Sequence, residues 1–186
     1  MSENQSQFPE STDQLDELLS APDERVVQTM RLVEGDVAVL GVGGKMGPTF
    51  ARMIQKATEL AGRPRRIIGV SRFGSGDLRE RLERWGIETI ACDLLDQAAV
   101  DELPDAPNVV SMLGFKFGAA DNPALTWAMN CYVPAVISRK YRNSRIAAFS
   151  SGNIYGNDDV QSGGSLETDL PNPVGEYAVT VLGRER

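Results

Sequence analysis

The 186-residue sequence predicts an α/β fold whose parallel sheet is covered by helices on both faces. Three observations predict it. Short, continuously apolar runs of strand length alternate with segments of helical period. A glycine-rich turn joins the first of these runs to the helical segment that follows. The length suits one such core and leaves no room for a second domain of any size.

Taken in order, residues 1–10 are polar and are expected to be disordered. Helical spacing appears at Leu15, Leu18 and Leu19, then at Val26, Val27, Met30 and Val33. Ser11, Thr12 and Asp23 are candidate N-caps. Residues 1–35 thus read as an acidic helical arm that docks on the body or on a second subunit. The alternation begins with Asp36–Leu40 as a strand and a helix over about Met46–Leu60. Strands follow at Arg66–Ser71, Glu88–Cys92, Asn108–Leu113 and Arg145–Ser150. Helices are expected over Asp77–Trp85, over Pro123–Tyr141 and from Gly175 onward, with a Gly/Asn/Asp/Pro-rich loop at 156–174. Residues 36–186 therefore form the second region, a single α/β domain.

Charge and composition exclude several classes. The net charge is −7, and residues 1–35 carry −6 of it, with eight acids against Arg25 and Arg31. No basic stripe could follow a phosphate backbone, so a nucleic-acid partner is not expected. No apolar run approaches the roughly 20 residues that span a bilayer, and the N-terminus lacks a secretory pattern, so no membrane partner is expected. Without histidine, and with only Cys92 and Cys131, a metal site has almost no ligands. Two unclustered cysteines suit a reduced, cytoplasmic protein.

The most informative stretch is Leu40-Gly41-Val42-Gly43-Gly44-Lys45-Met46-Gly47. Between a strand and a helix, such glycines permit a tight turn, close backbone approach to a pyrophosphate and close helix packing. The helix N-terminus then offers free N–H groups to phosphate. Gly41, Gly44 and Gly47 fit a G-x-x-G-x-x-G spacing, and Gly41, Gly43 and Gly47 nearly fit G-x-G-x-x-G. A kinase-type phosphate loop does not fit, because Lys45 is not followed by Ser or Thr after a final glycine. The pattern makes a doubly wound dinucleotide-binding fold of the Rossmann type, with NAD or NADP as cofactor. At the end of the second strand, Ser71 and Arg72 stand where an acid would favour NAD. An arginine there accommodates a 2′-phosphate and tilts the choice towards NADP.

Together with Asp93 in Cys92-Asp93-Leu94-Leu95-Asp96 and the octapeptide Phe149-Ser150-Ser151-Gly152-Asn153-Ile154-Tyr155-Gly156, these features resemble the extended short-chain dehydrogenase/reductase family, the NAD-dependent epimerase/dehydratase family. The resemblance runs from about Asp36 to the end of the chain. It implies Asp93 and Leu94 at the adenine, although Asp93 equally suits an N-cap for a helix over 94–102. It implies that the backbone at Leu113 and Gly114 runs beside the cofactor ribose. Gly41, Gly44, Lys45, Met46 and Gly47 would hold the pyrophosphate, and Ser71 and Arg72 the adenosine ribose or its phosphate. Asn130 matches a helix asparagine of the family and suits either a backbone-holding or a catalytic role. Ser151 maps onto the catalytic serine and Tyr177, 26 residues later, onto the catalytic tyrosine.

One departure stands out. The family's Tyr-x-x-x-Lys reads Tyr177-Ala178-Val179-Thr180-Val181 here, and no lysine follows Lys140. A phenol titrates near 10 and needs a neighbouring cation to act as a base at neutral pH. Arg184, two helical turns beyond Tyr177, is one substitute. The resemblance implies an NAD(P)-dependent epimerase, dehydratase or oxidoreductase acting on a sugar or nucleotide sugar. The alternative, motivated by Val181, is a non-catalytic dinucleotide-binding module that serves as a sensor or partner-binding protein. The family's later strands and substrate-binding region have no counterpart, so the chain is expected to be a truncated N-terminal portion. Trp127, Val133, Val136 and Ile137 suit either a homodimer face or the core.

Overall fold

Runs of apolar, mostly β-branched side chains build the strands in the computed structural model, which describes residues 8–74 and 76–186. The expected disorder at residues 1–10 falls largely outside the described residues. The strands are β1 (Val37–Leu40), β2 (Ile67–Ser71), β3 (Glu88–Ala91), β4 (Asn108–Ser111) and β5 (Arg145–Ala148). Their order is β3-β2-β1-β4-β5, the first five strands of the doubly wound dinucleotide-binding arrangement. β1 pairs with β2 and β2 with β3, both parallel, with Val37 opposite Ile67 and Ile68 opposite Glu88. The chain divides into two units, residues 1–91 with 106–109 and residues 92–105 with 110–186.

In the first unit every residue of β1 is buried, as are the first four of β2. Helix α3 (Gly47–Leu60) supplies Ala51, Ile54 and Ala57 to this core. Helix α4 (Leu78–Arg84) adds Leu82, which is fully buried. Asp36 fastens the entry to the sheet: its carboxylate accepts from the Arg66 backbone N–H (2.9 Å) and from Arg66 Nε (2.8 Å). Burial raises the Asp36 pKa, but the Arg66 contacts outweigh it and hold the carboxyl below its ordinary value.

The arm forms two helices, α1 (Thr12–Leu19) and α2 (Glu24–Leu32), capped by Ser11 and Asp23 as expected. α2 buries Val27 and Met30 in the ordinary amphipathic way. α1 differs from its expected docking mode. It buries no residue, and Leu15, Leu18 and Leu19 face solvent. Its acidic side meets the cations of α3 and α4 instead. Glu17 pairs with Arg52 (2.6 Å) and Lys56, and Asp16 pairs with Arg81 (3.3 Å). Arg52 and Arg81 in turn lie 4.4 and 5.3 Å from the centroid of the Trp85 ring.

The second unit holds α5 (Gln97–Asp101), then a helical stretch in three parts: α6 (Pro123–Trp127), a wider π-wound turn at Ala128–Tyr132, and α7 (Val133–Lys140). A one-turn 3₁₀ segment (Gly152–Tyr155) and α8 (Gly175–Glu185) complete it. Val133, Val136, Ile137 and Tyr141 are core residues, which settles the first three as packing within the chain, whereas Trp127 stays 45% exposed. The helix expected over 94–102 is shorter, and its cap is Asp96, whose carboxylate accepts from Ala98 and Ala99 N–H. Asp93 instead closes the preceding turn through the Leu95 N–H. All four residues of β5 are exposed. Among the described residues no helix is long and apolar enough to cross a membrane.

Because α1 is held by ion pairs, its docking should respond to salt and acid. Exposed pairs contribute about 0–1 kcal/mol each and are screened at high ionic strength. The Lys56 contact, opposed by desolvation and aided by the charges of Arg52 and Lys56, holds the Glu17 carboxyl below its ordinary value. A lowered carboxylate stabilises the contact above its unfolded value and loses that contribution as pH falls through the folded one. Hydrogen exchange should therefore show the amides of 12–19 opening in about 1 M salt, or once acid protonates Glu17, while those of α3 stay protected. Protection unchanged by either condition would mean that something other than charge holds the helix.

Candidate functional site

The turn after β1 is built by one carbonyl. Val70 O accepts from both Gly41 N–H (2.9 Å) and Val42 N–H (3.2 Å), which turns the chain sharply off the strand. Gly41 takes a positive φ of 84°, a conformation that favours glycine. Gly44 N–H then bonds Gly41 O, and Gly47 N–H bonds Gly44 O. A side chain at Gly47 would sit 2.7 Å from Val42 C and Cα. One at Gly43 would collide with the Ser71 side chain. Gly43 is thus held close to β2, though less rigidly than Gly47, a contact that the G-x-x-G-x-x-G register of Gly41, Gly44 and Gly47 had passed over. α3 begins here with Met46 as its N-cap, and no side chain caps it.

Beside the turn lies a cleft of about 550 Å³ lined by Gly43, Ser71, Arg72, Phe73, Leu78 and Arg79, together with Gly74 and Gly76. Phe73 has a φ of 43°, rare for a side-chain-bearing residue and a sign of local strain. The first unit therefore brings together Gly41, Gly44, Lys45, Met46, Gly47, Ser71 and Arg72. It adds Arg79, a second cation that the sequence pattern had not singled out.

The second unit gathers the remaining residues around Asn130. This side chain is fully buried in the π-wound turn. Its Oδ1 accepts from Phe115 N–H (2.8 Å) and Arg184 Nη2 (3.3 Å). Its Nδ2 donates to Phe115 O (3.1 Å) and Thr180 Oγ1 (2.9 Å). Asn130 thus holds both backbone groups of Phe115 in the loop after β4, so the backbone-holding role is the one observed. Arg184, on α8, donates through Nη1 to Leu113 O (2.9 Å) and Phe149 O (2.7 Å), and through Nε to Asn130 O (3.3 Å). Its guanidinium is spent on the ends of β4 and β5. Burial pushes its pKa down, partly offset by Tyr177, the Cys131 thiol and Glu185.

Tyr177 lies in the first turn of α8, half-buried, and Val181 one turn on is fully buried. Above the Tyr177 ring, 5.3 Å from its centroid, stands the ammonium of Lys116 from the loop after β4. Sequence reasoning had missed this lysine, and no local spacing could have revealed a pairing between residues 61 positions apart. Ser151 caps the 3₁₀ segment, which packs on α8; its hydroxyl donates to Asn153 Oδ1 (2.9 Å). Neighbouring Ser150 donates to Glu185. Asp93 is exposed and Leu94 is buried; Gly114 is exposed, next to Leu113, whose carbonyl Arg184 holds.

No protein-family model and no curated protein matches the sequence. Solved structures do share its fold. The ADP-L-glycero-D-manno-heptose-6-epimerase of Helicobacter pylori superposes with a TM-score of 0.68 at 17% identity, over 83% of this chain and 50% of that one. The dTDP-glucose 4,6-dehydratase of Bacillus anthracis, solved with NAD, gives 0.67 at 14% identity, over 82% and 48%. The UDP-glucuronic acid 4-epimerase of Bacillus cereus, also with NAD, gives 0.62 at 16%, over 81% and 50%. The chain spans about half the length of each, and the likeness is one of fold.

The Arg184 contacts predict a structural cost for its removal. Arg184→Met leaves the carbonyls of Leu113 and Phe149 and the Asn130 amide short of a donor, which should cost about 2–4 kcal/mol in urea unfolding. Arg184→Lys should recover only part of this, since an ammonium cannot reproduce the fork. A variant as stable as the native chain would remove Arg184 from the framework of the site.

Proposed function

We propose that this chain is the nucleotide-binding portion of an NAD(P)-dependent epimerase, dehydratase or reductase of the extended short-chain dehydrogenase/reductase type, acting on a sugar nucleotide. The observation that carries the reading is the turn after β1. Its backbone approaches so closely that a side chain at Gly47 would run into the Val42 backbone and one at Gly43 into the Ser71 side chain, and it feeds an uncapped 14-residue helix. A pyrophosphate beside this turn would meet a positive helix end that no side chain caps. Structures of this fold solved with NAD include a UDP-glucuronic acid 4-epimerase and a dTDP-glucose 4,6-dehydratase, which supports the same class.

In this reading Gly41, Gly44, Lys45, Met46 and Gly47 hold the pyrophosphate. Arg72, with Arg79 in the same cleft, receives the 2′-phosphate of NADP(H), and Ser71 bonds the ribose. Asp93 and Leu94 serve the adenine, and the backbone of Leu113 and Gly114 the second ribose. The cofactor, when bound, supplies hydride exchange. Tyr177 exchanges a proton with the substrate hydroxyl, and Ser151 donates a hydrogen bond to the substrate oxygen after releasing Asn153. The free thiols Cys92 and Cys131 fit a reducing cytoplasmic setting.

A second reading, a dinucleotide-binding module without catalysis, draws support from Val181. It is buried in the helix where the family carries its lysine, and Arg184 is committed to carbonyls.

Titration with NADPH and NADH, followed by nicotinamide fluorescence, tests the nucleotide site. Saturable binding with NADPH preferred is expected, and Arg72→Ala should lower NADPH affinity about tenfold while changing NADH affinity little. Failure of both nucleotides to bind would overturn the reading.

A further inference from the structure

The tyrosine of the candidate acid/base site lacks the lysine that should follow it on its own helix. Val181 fills that place and is fully buried, so no cation can stand there without rebuilding the packing. Arg184 also interacts electrostatically with Tyr177, but its guanidinium is anchored away from the ring on Leu113 O, Phe149 O and both oxygens of Asn130. Two lysines belong to the second unit. Lys140 is engaged by Asp101 O and the Asp105 carboxylate. Lys116 remains, and among the described residues no hydrogen bond or ion pair engages its ammonium.

We infer that Lys116 is the positive partner of Tyr177, supplied from the loop after β4 instead of from helix α8. The ammonium lies 5.3 Å from the ring centroid, inside the range over which a cation and an aromatic face attract. Its place is not accidental. Asn130 grips both the N–H and the C=O of Phe115, the residue immediately before Lys116. The same amide donates to Thr180 Oγ1, and Thr180 Oγ1 donates to Tyr177 O. One buried side chain therefore ties the loop that carries the cation to the helical turn that carries the phenol. Lys116 is a positioning and charge-supplying residue: a nearby ammonium favours the ionised form of a phenol. The inference rests on the acid/base reading of Tyr177 and explains how that role survives Val181.

Nitration by tetranitromethane, which attacks the phenolate, tests the pair in the protein without any substrate. The rate at Tyr177 is read by peptide mapping and normalised to Tyr132 in the same molecule, which is 49% exposed. Lys116→Gln should slow nitration of Tyr177 by about threefold or more, and Lys116→Arg should keep the native rate, since it keeps the charge. Lys116 is exposed, so neither variant should disturb folding. A native rate in Lys116→Gln overturns the inference. Equal slowing in Lys116→Arg also overturns it, by assigning the effect to packing and not to charge. Nucleotide titration of the same proteins reads the other unit independently. A failed titration with the nitration contrast intact removes the cofactor reading and leaves the pair. The reverse result removes the pair and leaves the nucleotide site.

Discussion

The Val70 carbonyl, by accepting from two consecutive N–H groups, sets the direction in which the chain leaves β1. That direction brings Gly43 against the Ser71 side chain and Gly47 against the Val42 backbone, where a Cβ has no space. Close approach of this kind costs chain entropy and forfeits side-chain packing. Its return is a strand end that leads directly into a helix N-terminus no side chain caps. The buried runs of β1 and β2 keep the turn in place, because both strands are packed along their length in the core. The cleft at Ser71, Arg72 and Arg79 exists because the turn is held there.

The second unit depends on a buried amide in a comparable way. A wider turn of helix at Ala128–Tyr132 carries Asn130, whose oxygen and nitrogen each make two hydrogen bonds. A fully satisfied polar group in a core fixes geometry more sharply than apolar packing does, and loses heavily when any partner is removed. Arg184 completes the arrangement by drawing the carbonyl ends of β4 and β5 to α8. That fixity anchors the Arg184 guanidinium on backbone carbonyls, and Lys116 is the cation that stands over the Tyr177 ring.

Much of this was legible in the residues. Strand-length runs marked all five strands within two residues of their ends, and the buried strands β1 and β2 carry the continuous apolar residues that a covered parallel strand needs. The glycine turn was evident from its place between strand and helix, and the caps of α1 and α2 from Ser11 and Asp23. Other features had no local signal. The π-wound turn shares the apolar spacing of the helices on either side, so the sequence reads as one helix from Pro123 to Tyr141. Asp93 and Asp96 are equivalent cap candidates three residues apart, and only the path of the chain after Leu94 favours Asp96. The leucines of α1 suggested a docking face, but Glu17 and Asp16 found three cations on α3 and α4 and turned the helix over. Lys116 and Tyr177 meet only because a distant asparagine holds the intervening loop.

The central claim is that the turn after β1 is a dinucleotide site and not merely a tight connection. A ¹H–¹⁵N correlation spectrum recorded during addition of NADP⁺ addresses it at the atoms concerned. The account predicts saturable shifts of the Gly43, Gly44 and Gly47 amides, with Arg72 moving in step, while the amides of Gly35 and Gly62, at the other end of β1 and α3, stay still. Shifts scattered over the surface without saturation, or a silent turn, would contradict it.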